Sequence, residues 1–401
     1  MSEAMLYDGI RTPIGRHAGA LSKIRPDELL ASAIRQLVSC VDFDLTLIED
    51  VIVGDTNQAG EDCRNIARNA GLLAGLPHSV GGLTVNRLCG SGAAATLDAS
   101  RAIKSGEGQM FVAGGVESMS RAPWIMSKSE SAYGRDQQIQ DSTIGWRFPN
   151  PRFLSEFGKD SMPETADNLA KEFGVSREDS DVFAHASQQK YAAAKADGFY
   201  TEEIMSIETP GASRKAAKII VSEDEHPRAD TTLEKLSGLR PLFNDGVVTA
   251  GNASGINDGA VALLLGSDEL GKKLGMQPRA KILAGAIAGV EPRIMGVGPV
   301  PASQKALQRA GISLKDLDVI EVNEAFATQV LACLKQLSIS FDDSRVNPNG
   351  GAIAIGHPLG ASGARLILTA MRQLERTGGR YALVTMCIGL GQGIAVVIER
   401  V

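Results

Sequence analysis

The chain has few of the residues from which disulfide-bonded, membrane-spanning or nucleic-acid-binding proteins are built. Its five cysteines are widely spaced over 401 residues and include no Cys-x-x-Cys pair. This spacing argues against a disulfide framework or a structural zinc site and indicates a reducing compartment. No stretch of about 18 residues is free of charges and glycine breaks, so we expect no membrane span. The formal net charge of −6 gives no reason to expect a nucleic-acid partner.

Aromatic residues are also scarce, at 4 %, and the first residues contain no apolar segment typical of a signal peptide. We therefore expect a cytoplasmic protein. Glycine, in contrast, is abundant, with 44 residues beside 43 % hydrophobic and 22 % charged residues. This composition is typical of α/β proteins with tight helix–strand packing, and a chain of this length should form two or three packed units.

Two parts of the chain resemble each other. Residues 49–55 match residues 317–323, and Ser91-Gly92-Ala93 matches Ser362-Gly363-Ala364 further along. Each half reads strand–helix–strand–helix–strand, which predicts a mostly parallel sheet covered by helices. Chance similarity between two such units is the competing interpretation, but matched blocks in the same order favour a duplication.

A stretch of different character, residues 122–248, lies within the first repeat. Its pattern predicts helices over 164–172 and 177–197, the second with Ser176 as its N-cap and Gly198 after its end. We interpret the stretch as an insertion. The expected units are an N-terminal half formed by 1–121 and 249–270, the inserted loop domain 122–248, and a C-terminal half 271–401.

Cys89 lies between a predicted strand, 83–85, and a helix that begins near Ser91. A thiol at a helix N-terminus faces the positive end of the helix dipole, which lowers its pKa and favours the thiolate. Gly90 and Gly92 leave the sulfur accessible to a substrate. The pattern predicts a nucleophile, and the competing interpretation is a buried cysteine in a glycine-rich packing turn.

His357 is one of five histidines and, through the repeat, lies nearly where Cys89 lies in the other half. Duplicated halves commonly pack about a pseudo-twofold axis, which would bring these two loops together. A cysteine–histidine pair is the usual means of activating a thiol near neutral pH. The competing interpretation is a histidine that only caps the glycine-rich turn after it.

Two further polar residues follow predicted strands. Cys387 precedes Gly389, Gly391 and Gly393 at the carboxyl edge of the sheet, where α/β sites form. It could serve as acid and base with a pKa near neutrality, although a core cysteine would fit the same position. Asn323 could orient a water or donate to an oxyanion, or could merely cap a helix.

Six segments, in order, resemble the thiolase family, and the resemblance extends from Asp8 to Val401. A lone Cys-Gly-Ser-Gly would be weak evidence, whereas six blocks in the same order are specific. The resemblance implies an α/β, thiolase-like fold with two duplicated βαβαβαββ halves packed in layers and an inserted loop domain. The six segments are 86–92, 114–120, 251–259, 323–327, 347–363 and 387–393.

The resemblance also implies roles for the candidate residues. Cys89 would be the nucleophile that becomes acylated, and His357 would take its proton and help to hold the thioester oxygen. Asn323 would position a water at that same oxyanion hole. Cys387 would exchange a proton with the acetyl-CoA carbanion or with the CoA thiol. The N–H groups of Cys89 and Gly389 would form the other oxyanion hole.

By the same resemblance, acyl-CoA and coenzyme A would be substrates, with no permanently bound cofactor and no metal. The protein would be a homo-oligomer, either a dimer or a dimer of dimers. The inserted region would cover the pantetheine and nucleotide of CoA. The residues implied along that channel are Met162, Leu239, Phe243, Ala250, Ser254 and Phe326.

The acyl group is suggested by residues 142–151, which resemble the segment typical of 3-oxoadipyl-CoA thiolases of aromatic-acid catabolism. Residues 56–62 and 397–401 agree with that subgroup. We expect Arg147 to bind the distal carboxylate in a bidentate pair, and a structural ion pair or an oligomer contact is the competing interpretation. Two other functions stay open: an acetyl-CoA acetyltransferase that forms or cleaves acetoacetyl-CoA, and a CoA-binding protein without catalysis.

Overall fold

The computed structural model describes residues 2–211 and 215–401, and one large sheet extends through it. Hydrogen bonds order its strands β12-β13-β14-β11-β1-β10-β5-β3-β4, with β2 beside β10, while β6–β7 and β8–β9 form two small antiparallel pairs. The strands are β1 (Ala4–Arg11), β2 (Gly15–Arg16), β3 (Asp50–Gly54), β4 (Leu83–Val85), β5 (Met110–Ser118), β6 (Trp124–Met126), β7 (Ile139–Asp141), β8 (Ile207–Thr209), β9 (Ile219–Val221), β10 (Asn257–Ser267), β11 (Ala280–Gly289), β12 (Val319–Val322), β13 (Tyr381–Ile388) and β14 (Gln392–Arg400).

The helices within the described ranges are α1 (Pro26–Ser39), α2 (Ile66–Leu73), α3 (Ser91–Ser105), α4 (Pro151–Phe157), α5 (Met162–Phe173), α6 (Arg177–Ala196), α7 (Leu233–Ser237), α8 (Asp268–Lys273), α9 (Pro299–Ala310), α10 (Ala327–Leu337), α11 (Ala352–Ile355) and α12 (Leu359–Thr377). Helix α6 begins and ends as predicted. The Ser176 hydroxyl accepts a hydrogen bond from the Asp179 N–H, and Gly198 follows the helix in the left-handed region.

The sheet is less parallel than predicted. Parallel pairing is confined to β3–β4, β3–β5 and β12–β13, and the other neighbouring strands run antiparallel. The prediction of a mostly parallel sheet is therefore wrong. The short turn 389–391, for example, joins β13 directly to β14, and a direct hairpin reverses the direction of the chain.

Residues on the central strands alternate between two apolar layers. In β10, Leu263 packs with α3 and α12, whereas Leu264 packs with α1 and α2 on the opposite face. In β14, Val396 faces α3 and α12, and Val397 faces α9 and α10. The two halves of the sheet thus enclose α3 and α12 as a central layer, and most residues of both helices are buried.

The N-terminal turns of the two central helices touch. A Cβ atom on Gly92 would lie 2.7 Å from the carbonyl oxygen of Gly360, so a side chain would not fit there. Gly92 follows Cys89 by three residues, and Gly360 follows His357 by three. This contact therefore brings the two predicted reactive loops to the same part of the molecule.

The inserted stretch contains β6 to β9 and α4 to α7, and the chain then returns to β10 at the centre of the first half. The bounds expected for the three units stay a prediction. None of the helices in the described ranges is both long enough and apolar enough to cross a bilayer.

Candidate active site

The loop before α3 holds Cys89 in a defined conformation. Leu88 lies in the left-handed region with φ of 47°, which costs a residue with a side chain on the order of 1 kcal/mol or more. Its N–H donates to Asn86 Oδ1 at 3.0 Å, and its carbonyl accepts from the Ser91 hydroxyl at 2.6 Å. The Ser91 oxygen in turn accepts from the Arg87 N–H at 2.8 Å. These bonds stabilise the strained turn that presents the sulfur.

The Cys89 sulfur faces two backbone donors, the N–H groups of Gly389 and of Cys89 itself. Burial nevertheless raises the pKa of the Cys89 thiol to about 11, because those N–H groups compensate only in part and the nearby Glu117 carboxylate opposes them. The prediction of a lowered thiol pKa at the helix end is therefore wrong. The thiol is protonated near neutral pH and needs a base to lose its proton.

His357 is buried and held by three partners. Its N–H donates to Asn257 Oδ1 at 2.9 Å, its Nδ1 lies 2.6 Å from Ser362 Oγ, and its Nε2 lies 3.3 Å from Asn323 Nδ2. The preceding Gly356 has φ of 109°, and a Cβ there would lie 2.6 Å from the Asn257 side chain. Glycine at this position lets the imidazole reach its partners.

These hydrogen bonds assign the tautomer of His357. The Ser362 hydroxyl donates to the Pro358 carbonyl at 2.9 Å, so its oxygen accepts the Nδ1 proton. The Asn323 amide presents its N–H to Nε2, which therefore carries the lone pair. Burial, followed by the charge of Arg365, lowers the pKa of His357 to about 3. The imidazole is neutral, and its Nε2 can accept a proton.

Asn323 and Cys387 lie at the carboxyl ends of neighbouring strands. β12 pairs in parallel with β13, and the Asn323 N–H donates to the Thr385 carbonyl at 3.0 Å. Asn323 Oδ1 is buried and has no hydrogen-bond partner among the described residues. Burial, together with the neighbouring Cys89 and Cys333, raises the pKa of Cys387 well above its ordinary value. The predicted near-neutral pKa of Cys387 is wrong, because the thiol is buried at the strand end.

The structure brings three of the residues implied for the CoA channel together beside this pair. Met162 and Phe326 pack in one apolar cluster with Cys387. The Met162 sulfur would lie 3.6 Å from a Cβ on Gly389. The Ser254 N–H donates at 3.0 Å to the carbonyl of the residue before Phe326. An apolar surface therefore borders both Cys387 and the Gly389 N–H.

The other three channel residues lie nearer to solvent. Leu239, Phe243 and Ala250 are exposed on the segment that precedes the return to β10. Leu239 contacts Gly251, whose Cβ position lies 2.5 Å from Leu239 Cδ1. Three of the six residues implied for CoA binding are thus exposed, whereas Phe326 is buried, and their role in CoA binding stays a prediction.

The Arg147 guanidinium is hydrogen-bonded to the loop after β3. Its Nη1 donates to the Ser142 carbonyl at 2.9 Å and to Asn57 Oδ1 at 3.4 Å. Both contacts fit the structural interpretation that competes with carboxylate binding. Among the described residues, both hydrogen bonds of Arg147 come from Nη1. The side of the guanidinium formed by Nε and Nη2 is therefore left for another partner.

Three buried residues of the site were missed in the sequence: Ser362, Asn257 and Glu117. Ser362 belongs to the repeated Ser-Gly-Ala block, so its match to Ser91 was the available signal. The other two lie in segments that carry the family resemblance, but nothing in their spacing indicates their partners. Within residues 2–211 and 215–401, no group of three or more His, Cys, Asp or Glu side chains is placed to hold a metal ion.

Comparison with known families identifies the class of protein. Residues 4–269 match the thiolase N-terminal domain and residues 276–400 match the thiolase C-terminal domain. The chain belongs to the thiolase family and is an acyltransferase. Thiolases work through an acyl-cysteine and use acyl-CoA and CoA as substrates.

Individual relatives extend the comparison over the whole chain. The 3-oxoadipyl-CoA/3-oxo-5,6-dehydrosuberyl-CoA thiolase of Escherichia coli (strain K12) is 56 % identical over 403 residues and covers 100 % of both chains. The beta-ketoadipyl-CoA thiolase of Acinetobacter baylyi is 55 % identical with the same coverage. The crystal structure of the Bacillus anthracis acetyl-CoA acetyltransferase superposes with a TM-score of 0.93 at 38 % identity, covering 100 % of this chain and 99 % of that one. The predicted thiolase-like α/β fold is confirmed.

Proposed function

We propose that the protein cleaves 3-oxoadipyl-CoA with CoA to succinyl-CoA and acetyl-CoA, by a ping-pong mechanism through acyl-Cys89. The observation that carries the substrate assignment is the full-length identity of 55–56 % to two enzymes that bear this name. Identity to the acetyl-CoA acetyltransferase, which would represent acetoacetyl-CoA chemistry, is 38 %. The convergence of Cys89, His357, Asn323 and Cys387 supports the chemistry.

The first step is attack of the Cys89 sulfur on the C3 carbonyl of the substrate. Because the thiol is protonated near neutral pH, its proton passes to the neutral Nε2 of His357 as the S–C3 bond forms. The carbonyl oxygen becomes negative and is stabilised by the N–H groups of Cys89 and Gly389. Donors that are fixed in advance lower the barrier without reorganising, and one such donor contributes about 10²–10³ in rate.

The C2–C3 bond then breaks, and its electron pair leaves on the acetyl-CoA fragment as an enolate. Protonated His357, together with a water held by Asn323, stabilises the enolate oxygen. The Cys387 thiol protonates C2 and becomes a thiolate, and acetyl-CoA leaves. A raised pKa keeps Cys387 in the protonated form that this step requires.

In the second half-reaction the Cys387 thiolate takes the proton of the CoA thiol. The CoA sulfur attacks the acyl group on Cys89, the S–C bond to Cys89 breaks, and succinyl-CoA leaves. The Cys89 thiolate recovers its proton from His357. Both thiols and the imidazole thus return to their starting protonation states, with no oxidant or metal required.

Arg147 is proposed to bind the distal carboxylate of the substrate. Its Nη1 is fixed by Ser142 and Asn57, which orients the guanidinium plane. An oriented guanidinium edge matches the two oxygens of a carboxylate. Acetoacetyl-CoA has no such carboxylate, so this contact would discriminate between the two substrates.

A cytoplasmic homo-oligomer, a dimer of dimers, is proposed as the working form. The β6–β7 pair in the insertion exposes Trp124 by 76 %, Met126 by 65 % and Ile139 by 66 %, an apolar surface that a second copy of the chain could cover. β4 is an edge strand that could pair across a twofold axis. The cytoplasm is supported by the free Cys89 and Cys387 thiols, which need a reducing environment.

The experiment is CoA-dependent cleavage of 3-oxoadipyl-CoA beside acetoacetyl-CoA with one enzyme preparation. We expect kcat/KM to favour the dicarboxylic substrate by tenfold or more, which corresponds to about 1.4 kcal/mol of transition-state discrimination. Equal values, or a preference for acetoacetyl-CoA, would move the protein to the acetyl-CoA acetyltransferase alternative. Binding of both compounds without turnover or a Cys89 adduct would favour the CoA-binding protein without catalysis.

A further inference from the structure

Glu117, at the carboxyl end of β5, is a buried carboxylate to which the mechanism above assigns no step. The residue is 1 % exposed and accepts four hydrogen bonds from two parts of the chain. The N–H and hydroxyl of Thr56 donate to it at 3.2 and 2.7 Å, and the Asn57 N–H donates at 3.2 Å. The fourth donor is the Gly360 N–H, at 2.9 Å.

These donors connect Glu117 to both reactive loops. Gly360 lies in the first turn of α12, three residues after His357. On the other side, the Thr56 carbonyl accepts from Asn86 Nδ2 at 3.0 Å, and Asn86 Oδ1 holds the strained Leu88 N–H next to Cys89. A continuous chain of hydrogen bonds thus leads from the nucleophile loop, through Thr56 and Glu117, to the base loop.

The backbone around this connection leaves no room for adjustment. A Cβ on Gly115, two residues before Glu117, would lie 2.0 Å from the Gly360 carbonyl oxygen. A Cβ on Gly360 would lie 2.3 Å from the Val116 carbonyl oxygen and 2.9 Å from the Asp55 Cα. Since β5, the loop after β3 and α12 are in direct contact, a small change at the Glu117 carboxylate would displace the loops it joins.

Asp55 is the neighbouring carboxyl group with which Glu117 interacts electrostatically. Both of its carboxylate oxygens are buried without a hydrogen-bond partner in the described ranges, whereas Glu117 has four donors. Burial, then the charges of Glu117 and Asp62, raise the pKa of Asp55 further than burial raises the pKa of Glu117. Asp55 therefore keeps its proton while Glu117 ionises. Among the described residues, the charge of Glu117 also raises the pKa of Cys89.

We propose that Glu117 is a positioning residue whose hydrogen bonds hold the Cys89 loop and the His357 loop in the relative position that the reaction needs. The proposal rests on the proposed function, because it presupposes that Cys89 and His357 react together. The charge of Glu117 also adds to the effect of burial in raising the pKa of the Cys89 thiol.

The test compares two substitutions of Glu117. Glu117→Gln removes the charge and turns an N–H₂ group toward donors, and Glu117→Asp keeps the charge but shortens the reach to Gly360. We expect each to lower kcat by about 100-fold while KM for CoA stays within about threefold, since misplacing reacting groups by about 1 Å has effects of this size.

Alkylation of Cys89 by iodoacetamide supplies a readout that loss of structure would not reproduce. In Glu117→Gln the midpoint of the alkylation rate against pH, followed from about pH 8 to 11, should move to lower pH because the opposing charge is gone. In Glu117→Asp the midpoint should stay. Glu203→Gln is the matched control: it removes another buried carboxylate, paired with Arg11, and should lower the melting temperature without moving the midpoint.

Two results would overturn the positioning role: kcat within about threefold of the parent in both Glu117 variants, or an unchanged midpoint in Glu117→Gln. If Glu117→Gln does not fold, the kcat of Glu117→Asp decides. Failure of the proposed function would give a different experimental result. In that case the parent protein itself forms no mass-detectable acyl adduct on Cys89 with 3-oxoadipyl-CoA, whatever the variants do.

Discussion

The two halves of the repeat place matching loops at matching ends of the sheet, yet they carry different chemistry. Cys89 in the first half lies near the position that His357 has in the second, and the strand end that holds Asp55 corresponds to the one that holds Asn323. Val116 corresponds to Cys387. In the proposed mechanism the nucleophile therefore comes from one copy, and the base and the proton donor come from the other.

The difference between the copies also concerns charge. The first half buries two carboxyl groups at its strand ends, Asp55 and Glu117, whereas the second half has Asn323 and Ile388 at the matching positions. In the proposed mechanism the enolate forms beside the second half. A carboxylate in place of Asn323 itself would repel that charge, so a neutral amide suits this position, although the second half also buries Glu321 and Glu324 nearby. The two similar frameworks thus contribute different side chains to the proposed site.

The largest effect is expected from removing the group that only the first half supplies. Cys89→Ala should abolish the acyl-enzyme and lower kcat by about 10⁴–10⁶-fold, because Cys89 is the proposed acceptor of the acyl group. Intact-mass measurement after mixing with 3-oxoadipyl-CoA checks the adduct. Cys63→Ala, which changes an exposed cysteine, is the control and should keep the adduct. A stable acyl adduct on Cys89→Ala would end the assignment.

Removing the proton donor of the second half should separate cleavage of the C2–C3 bond from acylation of Cys89. Cys387→Ala should slow cleavage of 3-oxoadipyl-CoA by about 10²–10⁴-fold, because the departing carbon needs an acid. Acylation of Cys89 by a saturated acyl-CoA should persist, since its leaving group is a thiolate that is stable without protonation. Rapid quenching and mass analysis of both reactions check this. Equal loss in the two reactions would contradict carbon protonation as the step that depends most on Cys387.

A smaller effect is expected at the amide that distinguishes the two strand ends. Asn323→Ala should lower kcat by about 10²–10³-fold, the effect of one lost oxyanion donor, with less change in KM. The measurement is steady-state thiolysis together with the fraction of acyl-Cys89. Gln329→Ala, on the buried face of the helix that follows, serves as a control for packing damage. A rise in KM with kcat unchanged would show that Asn323 contributes to ground-state binding instead.

Features of the site that depend on local sequence pattern could be predicted from the sequence. The loop-to-helix positions of Cys89 and His357, and their convergence through the repeat, follow from motifs and spacing. Protonation could not be predicted in the same way, because the pKa values of Cys89, Cys387 and His357 depend on how much water the whole fold removes from them. The four hydrogen-bond donors to Glu117 could not be predicted either, because they come from segments far apart in the chain.

The smallest effect, and the one that decides the acyl group, is expected at Arg147 in the insertion, which has no counterpart in the second half. A charge-assisted hydrogen bond contributes about 1.5–3 kcal/mol, so Arg147→Ala should reduce the preference for 3-oxoadipyl-CoA over acetoacetyl-CoA by about 10- to 100-fold. Arg147→Lys should lose part of the preference, because a lysine cannot pair bidentately. Arg152→Ala, on the exposed helix α4, is the matched control. If Arg147→Ala only lowers the melting temperature and leaves the ratio of kcat/KM values unchanged, the contacts to Ser142 and Asn57 are its whole role, and the distal carboxylate is bound elsewhere.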